Sequence, residues 1–371
     1  MQIESIELYH VGLPLRKALP GPWERFEKLE TVLVAMHGGG VTGWGEASPG
    51  NAPVIGSEWA AGAFAALRDW LAPAVAGRNV GSGDDLASLL SPFRGNQYAK
   101  AALDAAWWDL SARQQNRPLY EVLNGARTAI DVGPTFDKIE SVDEFHRRIT
   151  EAVASGFDRL KLKFRPGWDV RMVDFVRKEC PVQTLVVDCE AALHLGQTDM
   201  LYRLEDFMLA AIEQPLAADD LVGHAMLQES LRTPICLDES ITTVAQAEMA
   251  LELKSCKFVN LKPGRLGGLT AAVAVHDLCH ENCTPCYVGA APQSAIAGRI
   301  GFALASKANC EHPSDFFASN EYLAEDVADP LLPVKDEADG RPRVHLPAVP
   351  GIGVEPEATV LEKFSIARAR I

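Results

Sequence analysis

The sequence predicts an α/β fold: a modified TIM-type (β/α)7β barrel with an α+β N-terminal capping domain that the C-terminal tail completes. Three observations predict it. From about Asp131, short β-rich runs alternate with helix-like stretches, the pattern of parallel strands. The runs number eight: DVGPTF, RLKLKF, TLVVDC, AAIEQP, PICLDE, FVNLKP, TPCYVG and NCEHPS. A residue at or near the end of each, Phe136, Lys163, Asp188, Glu213, Asp238, Lys262, Tyr287 and Glu311, recurs at steps of 27, 25, 25, 25, 24, 25 and 24. Units of that length hold one strand, one helix and two short loops, and eight parallel units close into a barrel. A doubly wound open sheet needs neither eight near-equal units nor polar residues at every strand end.

Residues 1–125 have a different texture and are expected to form the capping domain. Alternating runs IESIELYHVGL and ETVLVAM read as strands, the second joined through HGGGVTGW to WGEAS as a hairpin. EWAAGAFAALRDWLAPAVAG and KAALDAAWWDLSARQQ carry apolar residues at helical spacing and end at Gly, Pro or Asn signals. The barrel is assigned to residues 126–320. Residues 321–371 are expected to return to the first domain, with EDVADPLLPVKDEADG as a solvated acidic loop.

Composition narrows the function. With 371 residues the chain can bury a large core, and 50 acidic against 35 basic side chains give a formal charge of -15. That balance argues against a nucleic-acid partner or an anionic membrane surface. The opening MQIESIELYHVGLPLRK lacks the basic start and apolar core of a signal peptide. No run approaches the ~18 apolar residues of a membrane span, so a cytoplasmic address is expected. All eight cysteines lie between Cys180 and Cys310 and read as reduced thiols.

Chemistry is expected at the C-terminal strand ends, where a barrel of this kind gathers its reactive residues. The third, fourth and fifth strands end in Asp188, Glu213 and Asp238. Three neighbouring carboxylates repel one another unless a cation sits among them, and an all-oxygen set suits Mg2+, with Mn2+ as the alternative ion. Helix-capping acids are common in such loops, but three in register on consecutive strands favour the metal. Lys161 and Lys163 lie two apart on the second strand and share a face, while Lys262 ends the sixth strand, across the ring. Nearby cationic charge disfavours a protonated lysine, so these side chains are candidates for removing a proton next to a carboxylate.

The runs KLK at 161–163, VVDCE at 186–190, IEQP at 212–215, LDES at 237–240 and NLKPGRLGG at 260–268 resemble the enolase superfamily, muconate lactonizing subgroup. The likeness covers nearly the whole chain, including WGE at 44–46. PGWD at 166–169 is similar to the o-succinylbenzoate synthase and N-acylamino acid racemase branch. The resemblance implies Mg2+ on Asp188, Glu213 and Asp238, with Lys163 and Lys262 as acid/base residues and Lys161 assisting electrostatically. A lysine base working with Mg2+ is the known chemistry of that superfamily. Capping-domain loops around Pro20 to Arg25 and Pro49 to Val54 would help choose the substrate, with Asn260 and Ser294 as further candidate contacts.

Two positions depart from the branch pattern. Glu190 stands where the third strand's Asp-x-Asn would place asparagine, and GAAPQS replaces Gly-Gly-Met-Leu-Glu-Ser, so Gln293 stands where a glutamate is expected. The exchange predicts a retained metal site with a shifted substrate preference. The expected activity is dehydration of the o-succinylbenzoate type, with Lys163 as base and then acid and Lys262 lending charge. Racemisation of N-acylamino acids, dipeptide epimerisation and muconate-type cycloisomerisation are the alternatives within the same chemistry; a non-catalytic ligand-binding barrel is the alternative outside it. The expected ligand is a small carboxylate, and self-association into a homo-oligomer is left open.

Other signals read as structural. Cys279, Cys283 and Cys286 have the C-x3-C-x2-C spacing of an iron-sulfur motif, and CTPC with His276 and His280 suggests zinc, but the run enters the seventh strand, where buried thiols are the simpler reading. His37 before three glycines resembles an esterase loop, yet no G-x-S-x-G follows. Trp107 and Trp108 are assigned to packing.

Overall fold

A computed structural model describes the chain except residues 24, 55, 138, 140 and 165–167, so Pro166 and Gly167 of the PGWD run lie outside the described residues. The first layer is an antiparallel sheet of β1 (Ser5–Pro20), β2 (Arg25–Gly38) and β3 (Val41–Ala47). A two-residue turn at Gly39 and Gly40 joins β2 to β3, as the glycine run predicts. Helices α1 (Ala60–Ala66), α2 (Gly83–Leu90) and α3 (Gln97–Gln114) cover the sheet. Leu67–Leu71 continues from α1 as a π-helical turn. The small residues Ala99, Ala102 and Ala106 of α3 are buried against Ile6, Leu8, Val34 and Met36. Trp107 is buried there, edge-on to Trp108 at 5.2 Å, and the indole N–H of Trp108 donates to Thr270 of the barrel at 2.9 Å.

Seven parallel strands follow in chain order around the barrel: β4 (Ala129–Phe136), β5 (Arg159–Lys163), β6 (Thr184–Asp188), β7 (Ala211–Glu213), β8 (Ile235–Leu237), β9 (Phe258–Leu261) and β10 (Cys286–Val288). The eighth, β11 (Ser314–Phe316), pairs in parallel with β4. It meets β10 where Val288 N donates to Ser314 Oγ at 3.4 Å. Helices α4 (Val142–Ala154), α5 (Val170–Glu179), α6 (Thr198–Leu204), α7 (Leu221–Ser230), α8 (Val244–Glu252), α9 (Leu269–Glu281) and α10 (Ala295–Ala305) follow successive strands. Their N-termini are capped as sequence rules expect: Ser141 accepts from Glu144 N, Asp220 from Gly223 N and Thr243 from Gln246 N.

Two expectations need correction. The eighth strand starts at Ser314, the last residue of the NCEHPS run, so the acid it carries is Asp315, four residues past Glu311; residues 311–313 form a loop, and pairing with β4 starts only at Ser314. The acidic tail segment is not a plain loop either. Residues Pro333–Lys335 (β12) and Pro342–His345 (β13) form a hairpin that adds antiparallel to the start of β4. Arg343 makes that possible by gathering Asp131, Asp336 and Asp339, neutralising acids that would otherwise repel across the turn. After α11 (Ala358–Phe364), strand β14 (Ser365–Arg370) pairs with β1 and completes the four-stranded sheet. No helix among the described residues is long and apolar enough to cross a membrane.

Candidate active site

The parallel register sets the site. Lys163 pairs with Asp188, and Asp188 with Glu213, so one row of side chains runs across β5, β6 and β7 at the barrel mouth. Asp238 and Lys262 each stand one residue beyond β8 and β9. The turn carrying Asp238 is fixed by Gln214, whose Oε1 accepts from Asp238 N at 2.9 Å and Ser240 N at 3.1 Å. Its Nε2 donates to Ser240 Oγ at 2.7 Å and Leu216 O at 3.0 Å. The glutamine of IEQP therefore holds the aspartate of LDES.

Every carboxylate of the row faces a cation. Lys163 Nζ donates to Asp188 Oδ2 and Glu190 Oε1, both at 2.7 Å, and Lys262 Nζ donates to Asp238 Oδ2 at 2.7 Å. Arg265 takes the other oxygen of Asp238. Glu213, fully buried, accepts from Lys161 Nζ at 3.0 Å, Asn260 Nδ2 at 2.9 Å and the Tyr287 hydroxyl. Burial raises the Glu213 carboxyl, and the Asp188 charge adds to the rise. Burial opposes ionisation of Asp238 too, but Arg265 and Lys262 outweigh it and hold that group below the usual carboxylate range. The lysines show the reverse balance. Burial pulls Lys163 and Lys262 down, yet Asp188 with Glu190 and Asp238 with Glu239 raise both above the ordinary lysine range, opposite to the lowering that a shared metal charge would give. Desolvation, with the Asp238 charge beside it, pushes the half-buried Glu239 up to about 7.

These residues fit a hard divalent cation. The donor set is all oxygen, comes from three consecutive strand ends, and already draws at least one ammonium or guanidinium to each carboxylate. Among the described residues, as the side chains are turned, no three His, Cys, Asp or Glu stand together as a metal cluster; the lysine Nζ atoms lie between the acids instead. In the cysteine run, Cys279 and Cys286 are buried and Cys283 is exposed.

Comparison with known proteins identifies the family. Residues 21–124 match the mandelate racemase / muconate lactonizing enzyme N-terminal domain family, and residues 144–360 match the enolase C-terminal domain-like family. The chain belongs to the enolase superfamily, muconate lactonizing subgroup. It is 34% identical over 365 residues to the o-succinylbenzoate synthase of Bacillus subtilis, covering 98% of this chain and 97% of that one. It is 35% identical over 366 residues to the N-succinylamino acid racemase of Thermus thermophilus, covering 99% and 98%. A solved enolase-superfamily member from Enterococcus faecalis V583 superposes with a TM-score of 0.93 at 32% identity, covering 100% and 99%. The chain is thus an enzyme of this superfamily, with its α/β barrel and antiparallel capping sheet.

The remaining candidate residues separate into those at the site and those used by the fold. Glu190 joins Lys163, and does so from a left-handed backbone with φ 48°. Gln293 lines a cleft together with Lys262, Arg265, Tyr98 and Glu46. Its main chain is fixed by Tyr322, whose hydroxyl accepts from Gln293 N at 2.8 Å and donates to Gln293 O. Ser294 is not turned to a substrate: it caps α10, and its hydroxyl donates to Glu46, whose carboxylate also accepts from Ser294 N and Ala297 N at 3.0 Å. The glutamate of WGE therefore docks the capping sheet on the N-terminus of a barrel helix, where backbone N–H groups favour an acid. Asn260 faces inward to Glu213. Pro20 and Arg25 pair at the tip of the β1–β2 hairpin, where Arg25 donates to Ala18 O; among the described residues no hydrogen bond or ion pair joins them to the lysines and acids. Asn51 ties the Pro49 to Val54 loop back to β2 through Glu30 N at 3.1 Å and Lys28 O at 2.8 Å.

Gly289, just after β10, is a position the motif reading missed. A Cβ there would lie 2.3 Å from Asn260 Oδ1 and 2.6 Å from Lys262 Cε, so the missing side chain is the space in which Lys262 lies. Gly289→Ala is expected to displace Lys262 and lower turnover by about 100-fold, the cost of misplacing a reacting group by an ångström or so. Steady-state kinetics beside circular dichroism checks this: unchanged kcat in a folded variant contradicts it.

Proposed function

We propose that this enzyme removes the proton next to a carboxylate, with Mg2+ as cofactor, in a dehydration of the o-succinylbenzoate synthase type. The observation that carries the reading is the pair Lys163 and Lys262 on β5 and β9, across the ring from each other, each 2.7 Å from an acid of the strand-end row. Asp188, Glu213 and Asp238 would hold Mg2+, whose charge makes the carbon beside a bound carboxylate acidic. Lys163 Nζ takes that proton and, in a syn elimination, returns it to the leaving hydroxyl on the same face. Lys262 stays protonated on the other face and adds positive charge there. Arg265 keeps Asp238 ionised and oriented. The capping sheet, anchored through Glu46, closes one side of the cleft that Lys262 lines.

N-succinylamino acid racemisation is the second reading, favoured by a relative of that name as similar as the synthases. Lys163 and Lys262 would then exchange protons with one carbon from opposite faces.

Glu190 is expected to shift preference away from the branch's usual ligand, because its carboxylate holds the ammonium that must act as base. Glu190→Asn removes that pair, and asparagine tolerates the left-handed backbone better. The expected result is turnover of the o-succinylbenzoate precursor raised about fivefold, the equivalent of ~1 kcal/mol. Purified protein assayed with the precursor and with N-succinylamino acids tests both readings. Wild-type turnover at about 10 s-1, an ordinary enzyme rate, would contradict the shifted preference. Interconversion of enantiomers without dehydration would decide for the racemase.

A further inference from the structure

Below the row just described, the barrel interior holds a second set of charges, of which only Lys161, the lysine expected to assist electrostatically, has a part in the chemistry above. Arg159 and Lys161 are two apart on β5, point the same way, and are 3% and 2% exposed. Between them stands Asp315 of β11, itself 5% exposed, and its two oxygens are divided: Oδ1 accepts from Arg159 Nη2 at 2.7 Å and Oδ2 from Lys161 Nζ at 2.6 Å. The two strands are not neighbours, because β4 lies between them. What lets the side chains meet is Gly133 of β4, in register with Asp315; a Cβ there would come within 2.8 Å of Arg159 Nε. Beyond Asp315, Lys161 Nζ reaches Glu213 at 3.0 Å and Asp188 at 3.7 Å.

We propose that Asp315 is a positioning residue for Lys161, the middle rung of a buried ladder, Arg159 to Asp315 to Lys161, that holds the lysine at a fixed height under the strand-end acids. An ammonium with only Glu213 and Asp188 for partners settles onto those two carboxylates and competes for the oxygens assigned to the cation. Asp315 supplies a third point of attraction from the opposite side, and Arg159 stops Asp315 from swinging toward the mouth. The inference rests on the proposed reaction for its kinetic readout only.

The test is a double-mutant cycle. Asp315→Asn keeps the size and an acceptor but removes the charge; it is expected to lower kcat at least tenfold with KM changed less than threefold. In a Lys161→Met background the same substitution is expected to change kcat less than twofold, because the residue it positions is already gone. Independent, multiplying losses would overturn the proposal, and so would an Asp315→Asn protein with full kcat. If Asp315→Asn alone does not fold, the double variant, which removes the buried pair together, is compared with Lys161→Met: equal kcat supports the ladder and a further tenfold loss overturns it. A crystal structure of a folded Asp315→Asn protein, or of Arg159→Met if it does not fold, gives a readout independent of substrate. Lys161 Nζ drawn from 3.7 Å to hydrogen-bond distance of Asp188 supports the proposal, and an unmoved Nζ contradicts it. Wild-type protein without activity on any carboxylate would count against the reaction, while this displacement still decides the ladder.

Discussion

Lys163→Ala is expected to lower α-proton exchange by about 10^2- to 10^4-fold, the contribution of a positioned general base. The loss should fall on chemistry and not on folding. Lys163 is partly exposed at the mouth, and Asp188, which loses its 2.7 Å partner, keeps Lys161 at 3.7 Å. Metal affinity should therefore survive, or rise as an ammonium leaves the Asp188 oxygens; titration calorimetry with Mg2+ measures it. The partner substitution Lys262→Ala separates the two proposed reactions. In a dehydratase Lys163→Ala alone abolishes exchange, whereas in a racemase each enantiomer loses exchange with its own lysine.

Asp238→Asn is expected to be the most destabilising change at the site, by about 2–3 kcal/mol, because it takes the shared anion from two partly buried cations and leaves them only Glu239, 3.8 Å from Arg265. Lys262 and Arg265 both bind this one carboxylate, through different oxygens. The effect carries a pH signature. The folded-state pKa of Asp238 lies below its ordinary 3.8, so its stabilising contribution is complete above that value and is lost as pH falls toward the folded pKa. Between pH 6 and pH 3 the gap between wild type and Asp238→Asn in urea unfolding should narrow by about 1 kcal/mol, since the unfolded chain takes up the proton first. A gap that widens on acidification would contradict the ion-pair account.

The row of strand-end acids was legible because a parallel barrel repeats at a nearly constant interval and here leaves a charged residue at the ends of β5, β6 and β7 and just past β8 and β9. Asp188, Glu213, Asp238, Lys163 and Lys262 stand where that interval puts them. The interval failed at the eighth unit, since β11 has no β-branched run to announce it, and the strand-end residue was placed at Glu311, ahead of the strand that carries Asp315. Ser294 was misread for another reason. Its partner, Glu46, is 248 residues away, and only the docking of two sheets brings them together. Arg265 lay inside a quoted motif without a role, because nothing local shows that a helical turn after β9 carries it back to Asp238. The tail hairpin was hidden by its acids, whose repulsion is relieved by one arginine that pairing with β4 brings into place.

The central claim is that this barrel uses Lys163 and a divalent cation to take a proton from the carbon next to a carboxylate. The most direct measurement is solvent deuterium incorporation, followed by proton NMR, across N-succinylamino acids, dipeptides, cyclic diacids and the o-succinylbenzoate precursor. The expected result with Mg2+ is either loss of the α-proton signal as the precursor is dehydrated or deuterium at the α-carbon of one of the other ligands, in both cases abolished by a chelator and by Lys163→Ala. A carboxylate that binds together with Mg2+ and neither exchanges nor loses its α-proton would contradict the claim.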